Sequence, residues 1–138
     1  MENHVTTILV GDPSLPKLVL VHGYGGSGVL MYRLFKDLSL SFRVIAIDIL
    51  GMGSSSRPPF PCETAEESDL YCMVFMEKWR VAMKDLDYFV LVGHSYGGYL
   101  AGTYASHYPQ FIKKLILLSP LGLKFKPEGC EGIENMRF

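Results

Sequence analysis

Five short apolar runs punctuate the chain, at Ile8–Val10, Leu18–Val21, Val44–Ile47, Phe89–Val92 and Leu115–Leu118. Each has the length of a strand and no polar alternation, the pattern of strands buried on both faces of a parallel sheet. The segments between them carry helical spacing. Leu30, Leu34 and Leu38 recur at i, i+4 and i+8 and predict one face of a helix that starts just after Gly28. A second helix is expected from about Thr64 to Leu86, where Thr64 and Glu67 have the spacing of a capping box and Leu70, Met73 and Val74 begin an apolar face. A third should open at Ser95-Tyr96 and stop near His107, because Pro109 lacks the donor a helix needs and biases Tyr108 toward extended geometry. Its small residues, Gly98, Ala101, Gly102 and Ala105, would let it lie close against the sheet.

Strands alternating with helices predict an α/β fold, a mostly parallel sheet with helices on both faces. The first run is the expected exception. It joins the second through the turn-forming stretch Gly11-Asp12-Pro13-Ser14-Leu15-Pro16 and is predicted to pair with it as an antiparallel hairpin. The 138 residues suit a single domain. After the last run, Lys124 to Phe138 shows no clear period, and a sheet ending on Leu115–Leu118 would keep an open edge. Residues 1–138 are therefore expected to be the N-terminal portion of a larger domain.

Composition narrows the function classes. The net charge of -1, from 13 basic and 14 acidic residues, provides no concentrated basic surface for nucleic acid. Lys113-Lys114, an adjacent basic pair, reads as a solvated element end. Cys62, Cys72 and Cys130 are widely and irregularly spaced, which fits neither a zinc site nor a redox pair and suggests a reducing compartment. The first residues lack a signal-peptide pattern, and no apolar run approaches the ~20 residues needed to cross a bilayer. A cytoplasmic location is the expectation.

The chemistry concentrates at Gly93-His94-Ser95-Tyr96-Gly97. This fits the Gly-x-Ser-x-Gly pattern of a nucleophile elbow, in which a sharp strand-to-helix turn projects the serine hydroxyl toward substrate. Here the pattern lies between a buried-strand run and a helical one. A second motif, His22-Gly23-Tyr24-Gly25-Gly26, directly follows the Leu18–Val21 run. Together the two place backbone amides of Tyr24 and Tyr96 as candidate oxyanion-hole donors around Ser95. Gly23-x-Gly25-x-x-Gly28 also satisfies a dinucleotide fingerprint formally, but its acidic partner is ambiguous between Asp37 and Asp48 and the Walker lysine is absent, so no cofactor is expected. His22 and His94 are read as pointing into the scaffold, and Asp48 as tying down the loop that follows it. Tyr32, Phe60 and Trp79 are read as core.

The His22–Gly26 loop, the segment Asp48-Ile49-Leu50-Gly51-Met52-Gly53-Ser54-Ser55-Ser56-Arg57-Pro58 and the Ser95 motif together resemble the α/β-hydrolase superfamily. The second of these segments, with Tyr108-Pro109 and Leu117-Leu118-Ser119-Pro120-Leu121-Gly122, is similar to the lysophospholipid lipases and lipid-droplet lipase coactivators within it. The resemblance implies an acyl ester as substrate, a lipid or lysophospholipid, and peripheral contact with lipid droplets or membranes. Some members carry Asn at the serine position; Ser95 favours the hydrolytic branch.

In this superfamily the acid and then the histidine follow the serine in the chain. After Ser95 the one histidine is His107, on the third helix and too near; there is no Asp, and Glu128, Glu131 and Glu134 follow His107. No histidine begins the His-x-x-x-x-Asp pattern that the resemblance associates with acyl transfer. A serine without its base is a poor nucleophile, so residues 1–138 alone are expected to turn over ester weakly. Two readings follow: a segment of a serine esterase or lipase, and a noncatalytic hydrolase-like module that binds a lipase or a lipid surface.

Overall fold

The computed structural model describes residues 3–122. Cys130, Glu128, Glu131, Glu134 and the aperiodic tail lie outside the described residues. Five strands form one sheet: β1 (Thr7–Val10), β2 (Lys17–Val21), β3 (Arg43–Ile47), β4 (Phe89–His94) and β5 (Ile112–Leu118), in the order β1-β3-β2-β4-β5. The helices are α1 (Tyr32–Leu38), α2 (Ala65–Ala82) and α3 (Tyr96–His107). All pairings are parallel except β1 with β3.

The period-2 alternation of strand side chains sorts the core into two layers. Val19, Val21, Ile45, Ile47 and Leu91 face α2 and α3, while Leu18, Leu20, Val44, Ala46, Val90 and Val92 face the α1 side. Fully burying one such side chain contributes about 1.5–3 kcal/mol, so the apolar runs place helices on both faces as expected.

The expected β1–β2 hairpin does not form. β1 pairs antiparallel with β3, from Thr7 opposite Ile47 to Val10 opposite Val44, and β3 stands between β1 and β2. Leu18 to Val21 are all buried, so β2 needs a neighbour on each side and takes β3 and β4. That leaves β1, with Leu9 exposed, at the edge. The Gly11–Pro16 connection steps across the end of β3, where Arg43 N–H donates to the Pro16 carbonyl at 3.0 Å.

Two helix faces also differ from expectation. Gly28–Met31 is a 3₁₀ turn, capped by Ser27, before α1 begins. Its three residues per turn shift the phase of the helix, so Met31, Phe35 and Leu38 pack on the sheet while Leu30 and Leu34 are exposed. In α2 the capping box between Thr64 and Glu67 is present, but the buried stripe is Cys72, Phe75, Met76 and Trp79 with Met73; Leu70 and Val74 face outward. Trp79 is core as expected, whereas Tyr32 and Phe60 are exposed. The Lys113-Lys114 pair is solvated.

α3 sits closer to the sheet than its small residues suggested, and the closest contact is at Gly97. A methyl group there would overlap the carbonyl oxygens of Val21 and His22, and one at Gly93 would meet the Gly97 carbonyl. Gly98 and Ala101 are buried, but Gly102 has open space where a Cβ would stand.

Asp48, just beyond β3, is buried and ties down its surroundings as expected. Its Oδ1 accepts from Ser27 Oγ at 2.9 Å and Gly28 N–H at 2.6 Å, and its Oδ2 accepts from Ser54 N–H at 2.7 Å. Burial pushes the carboxyl pKa up, but these donors outweigh it and hold the group below its ordinary value. The same loop is held from outside by His4, whose ring lies 2.9 Å from the Ser54 carbonyl and 2.8 Å from Ser56 Oγ.

Gly97→Ala is expected to cost about 3 kcal/mol or more through backbone overlap, and Gly102→Ala to gain about 0.5–1 kcal/mol from helix propensity; urea denaturation of the two variants checks the contrast. Because Asp48 has a lowered folded pKa, its stabilisation is fully present well above the unfolded value of about 3.9 and is lost as pH falls through the folded value. Asp48→Asn is expected to cost about 3 kcal/mol at pH 7 and to flatten the acid limb of stability against pH, measured by urea midpoints from pH 7 to pH 3.

Candidate active site

β4 delivers Gly93 and His94 to a turn at Ser95, and α3 begins at the next residue. Ser95 adopts φ 53 and ψ -118, a conformation outside the regions an L-residue normally occupies. Backbone bonds hold it there. Ser95 N–H donates to the Leu118 carbonyl at 3.0 Å, and the Ser95 carbonyl accepts from Gly98, Tyr99 and Leu121 N–H at 3.0, 3.1 and 2.9 Å. The Ser95 hydroxyl is not used to cap α3.

The loop after β2 lies directly against this turn. A Cβ on Gly23 would stand 3.2 Å from that of Ser95, and Gly26 N–H closes a tight turn onto the Gly23 carbonyl at 3.1 Å. Tyr24 and Tyr96 are thereby brought together, their rings edge to face at 6.2 Å and 83°. Among the described residues neither the Tyr24 amide nor the Tyr96 amide donates to another group, and the latter is a first-turn helix donor with no partner inside the helix. Free amides beside a serine hydroxyl can stabilise negative charge that develops on a carbonyl oxygen.

The histidines divide. His22 is buried as expected: Nδ1–H donates to the Gly23 carbonyl at 2.7 Å and Nε2 accepts from Ile49 N–H at 2.9 Å, so both nitrogens are engaged and the tautomer follows from the network. His94 corrects the expectation, because it is exposed. The period of β4 sends it to the same side as Val90 and Val92, but at the end of the sheet, where α1 no longer covers it. His107 lies at the far end of the twelve-residue α3, about 18 Å along the axis from Ser95, bound to the Thr103 carbonyl.

A cleft of about 550 Å³ opens beside the turn, bounded by Tyr24, Tyr96, Phe60, Tyr71, Cys72 and Phe75. Phe60 packs edge to face on Tyr71 at 5.1 Å and forms part of this wall. Further supports were not evident in the sequence. Tyr96 OH lies 3.5 Å from Cys72 Sγ, and Tyr99 OH donates to Asp69 Oδ1 at 2.6 Å, so α2 braces the first turn of α3. Burial, and then the Cys72 contact, pushes the Tyr96 phenol well above its ordinary pKa. The Leu118–Leu121 brace was marked only by family-like wording of its residues, since backbone hydrogen bonds leave no side-chain signature.

Among the described residues no helix is long and apolar enough to cross a membrane. A family model described as alpha/beta hydrolase fold matches residues 16–138. A rice protein (Oryza sativa subsp. japonica) named probable 1-acylglycerol-3-phosphate O-acyltransferase is 45% identical over 89% of this chain and 30% of its own length. The mouse 1-acylglycerol-3-phosphate O-acyltransferase ABHD5 is 43% identical over 91% of this chain and 36% of its own, and the mouse (lyso)-N-acylphosphatidylethanolamine lipase 36% identical over 91% and 37%. This chain thus spans about a third of the length of these curated relatives. The crystal structure of a hydrolase from Pseudomonas aeruginosa superposes with a TM-score of 0.76 at 25% identity, covering 86% of this chain and 42% of that one. Fold, site geometry and family model agree, and the chain belongs to the α/β-hydrolase fold family.

Proposed function

We propose that this chain carries the nucleophile of a serine-dependent hydrolase of lipid acyl esters, with Ser95 as nucleophile and the Tyr24 and Tyr96 amides as oxyanion hole. The observation that carries the reading is the Ser95 turn: a strained serine between a buried strand and a helix, with unspent amides beside it. In the reaction Ser95 Oγ attacks the ester carbonyl carbon and its proton passes to a base. The oxyanion is held by the two amides, each worth about 2.7–4 kcal/mol to the transition state. Collapse breaks the carbon–oxygen bond to the alcohol, which leaves with the proton, and water then releases the acid. Residues other than 3–122 would supply the base and its acid, consistent with a chain that spans a third of its relatives' length.

The largely apolar cleft beside Ser95 and the lipid-related names of the relatives support an acyl-lipid substrate. Peripheral contact with a lipid surface, from the cytoplasmic side, is part of the same proposal.

In protein expressed from the full coding sequence, a fluorophosphonate probe is expected to label Ser95 with loss of fluoride. Ser95→Ala should abolish labelling and lower ester turnover by about 10⁴-fold or more. Equal labelling or equal turnover in Ser95→Ala would remove the nucleophile. Binding to a lipase or lipid surface without turnover in either protein would establish the noncatalytic module instead.

A further inference from the structure

Two apolar clefts flank the Ser95 turn, one lined by Tyr96 and the other by His94. The first, of about 550 Å³, runs inward from Tyr24 and Tyr96 to Ile49, Cys72 and Phe75, all three buried. The second, of about 440 Å³, lies on the other side of the Gly23–Gly26 turn against His94, between Leu30, Leu34 and Leu118, all three exposed. Among the described residues Tyr24 alone lines both. Its side chain is not a packing element, since the residue is 82% exposed and touches the aromatic system only through the edge-to-face contact with Tyr96.

The clefts differ in what they can hold. The inner one has buried side chains, Ile49, Cys72 and Phe75, in its wall, and its single cation, Arg57, is turned onto the Gly53 and Ser55 carbonyls at 2.8 and 3.2 Å. An unbranched hydrocarbon chain loses most water there, and each methylene buried is worth roughly a fourfold gain in affinity. The outer cleft is walled by exposed side chains and suits a group that stays in contact with water and then leaves.

We infer that the Tyr24 ring is a specificity-determining partition, which directs the acyl chain of the ester into the inner cleft and its alcohol portion into the outer one. This rests on the reading of Ser95 as nucleophile. The ring works separately from the Tyr24 amide: the amide would hold the oxyanion, and the ring decides which arm of the substrate lies on which side of it. The two residues with candidate oxyanion amides are in ring contact, so the partition is fixed relative to the reacting carbonyl.

The test uses protein from the full coding sequence, p-nitrophenyl esters of four to twelve carbons to vary the acyl chain, and octanoate esters of ethanol and of a bulky secondary alcohol to vary the alcohol. Tyr24→Phe is expected to keep the preference in kcat/KM between long and short chains, and Tyr24→Ala to reduce it at least tenfold, the ratio being taken within each variant so that a change in overall rate cancels. Leu34→Trp, a surface change, is expected to slow esters with bulky alcohols at least fivefold and to leave the chain-length preference unchanged. A preference within twofold of wild type in Tyr24→Ala, or a Leu34→Trp effect on chain length in place of alcohol size, overturns the partition. Reversible binding separates the two claims. If the probe fails to label the unsubstituted protein, the nucleophile reading falls, and displacement of a fluorescent fatty acid by decanoate from Ser95→Ala then decides the partition alone. At least tenfold weaker binding on adding Tyr24→Ala, with none on adding Tyr24→Phe, supports it, and equal binding overturns it.

Discussion

A serine held at φ 53 and ψ -118 costs about 1–3 kcal/mol of backbone strain, and such a residue persists only where its surroundings over-determine it. Three strands do so here. β4 carries the chain into the turn, the end of β5 accepts the Ser95 N–H, and the residues after β5 return a donor to the Ser95 carbonyl. The carbonyls at the end of β2 lie so close to Gly97 that no side chain fits between them. The turn therefore depends on the sheet order itself: β2 and β5 flank β4, and moving either would release it. Strain and support lie at the same place, and the serine hydroxyl does not cap its own helix.

The buried polar groups near the site serve that architecture. His22 spends Nδ1 within the β2 loop and Nε2 on the β3 loop, and Asp48 joins the 3₁₀ turn before α1 through Oδ1 while Oδ2 holds its own loop at Ser54. Each would leave buried donors or acceptors unpaired if it moved to take part in chemistry, a penalty of about 1–3 kcal/mol per group. Two buried titratable residues in the loops around the Ser95 turn are thus structural by geometry. His94, which adjoins Ser95 in sequence, faces a cleft for a different reason: strand alternation carries it past the end of its covering helix.

What could be read from the sequence follows from how local the physics is. The five strands, the Thr64 cap, the start of α3 at Tyr96 and the pairing of the Tyr24 loop with the Ser95 turn all rest on patterns within one element or on motif spacing. The position of β1 was not legible, because a turn-rich linker suits both a hairpin and a step across one strand; the choice is made by β2, whose apolar face needs two neighbours. The face of α1 is not legible in the spacing of its leucines, because one turn of 3₁₀ geometry rephases every residue after it. Small residues on α3 signalled close packing, but Gly97, inside the serine motif, makes the tightest contact and Gly102 makes none.

The inner cleft is built on a second support. α2 supplies its far wall through Tyr71, Cys72 and Phe75, and α2 is placed by contacts one to two turns further on. Arg80 pairs with Glu77 through two bonds of 2.9 and 2.7 Å and lies 3.7 Å over the Phe111 ring, while Tyr104 on α3 donates to Glu77 at 2.6 Å. The Arg80 bonds hold the Glu77 carboxyl below its usual range against the effect of burial. Trp79 Nε1–H donates to Thr7 Oγ1 on β1 at 3.0 Å, so α2 is anchored to the sheet edge as well. The reacting turn is set by backbone bonds to the sheet, and the cleft wall by side-chain bonds between helices. They join at Tyr96 with Cys72 and at Tyr99 with Asp69, which makes that seam the place where the shape of the cleft is transmitted to the first turn of α3. Side-chain change along α2 can reshape the cleft while the backbone bonds that strain Ser95 remain in place, so the cleft wall can vary on a turn that stays fixed.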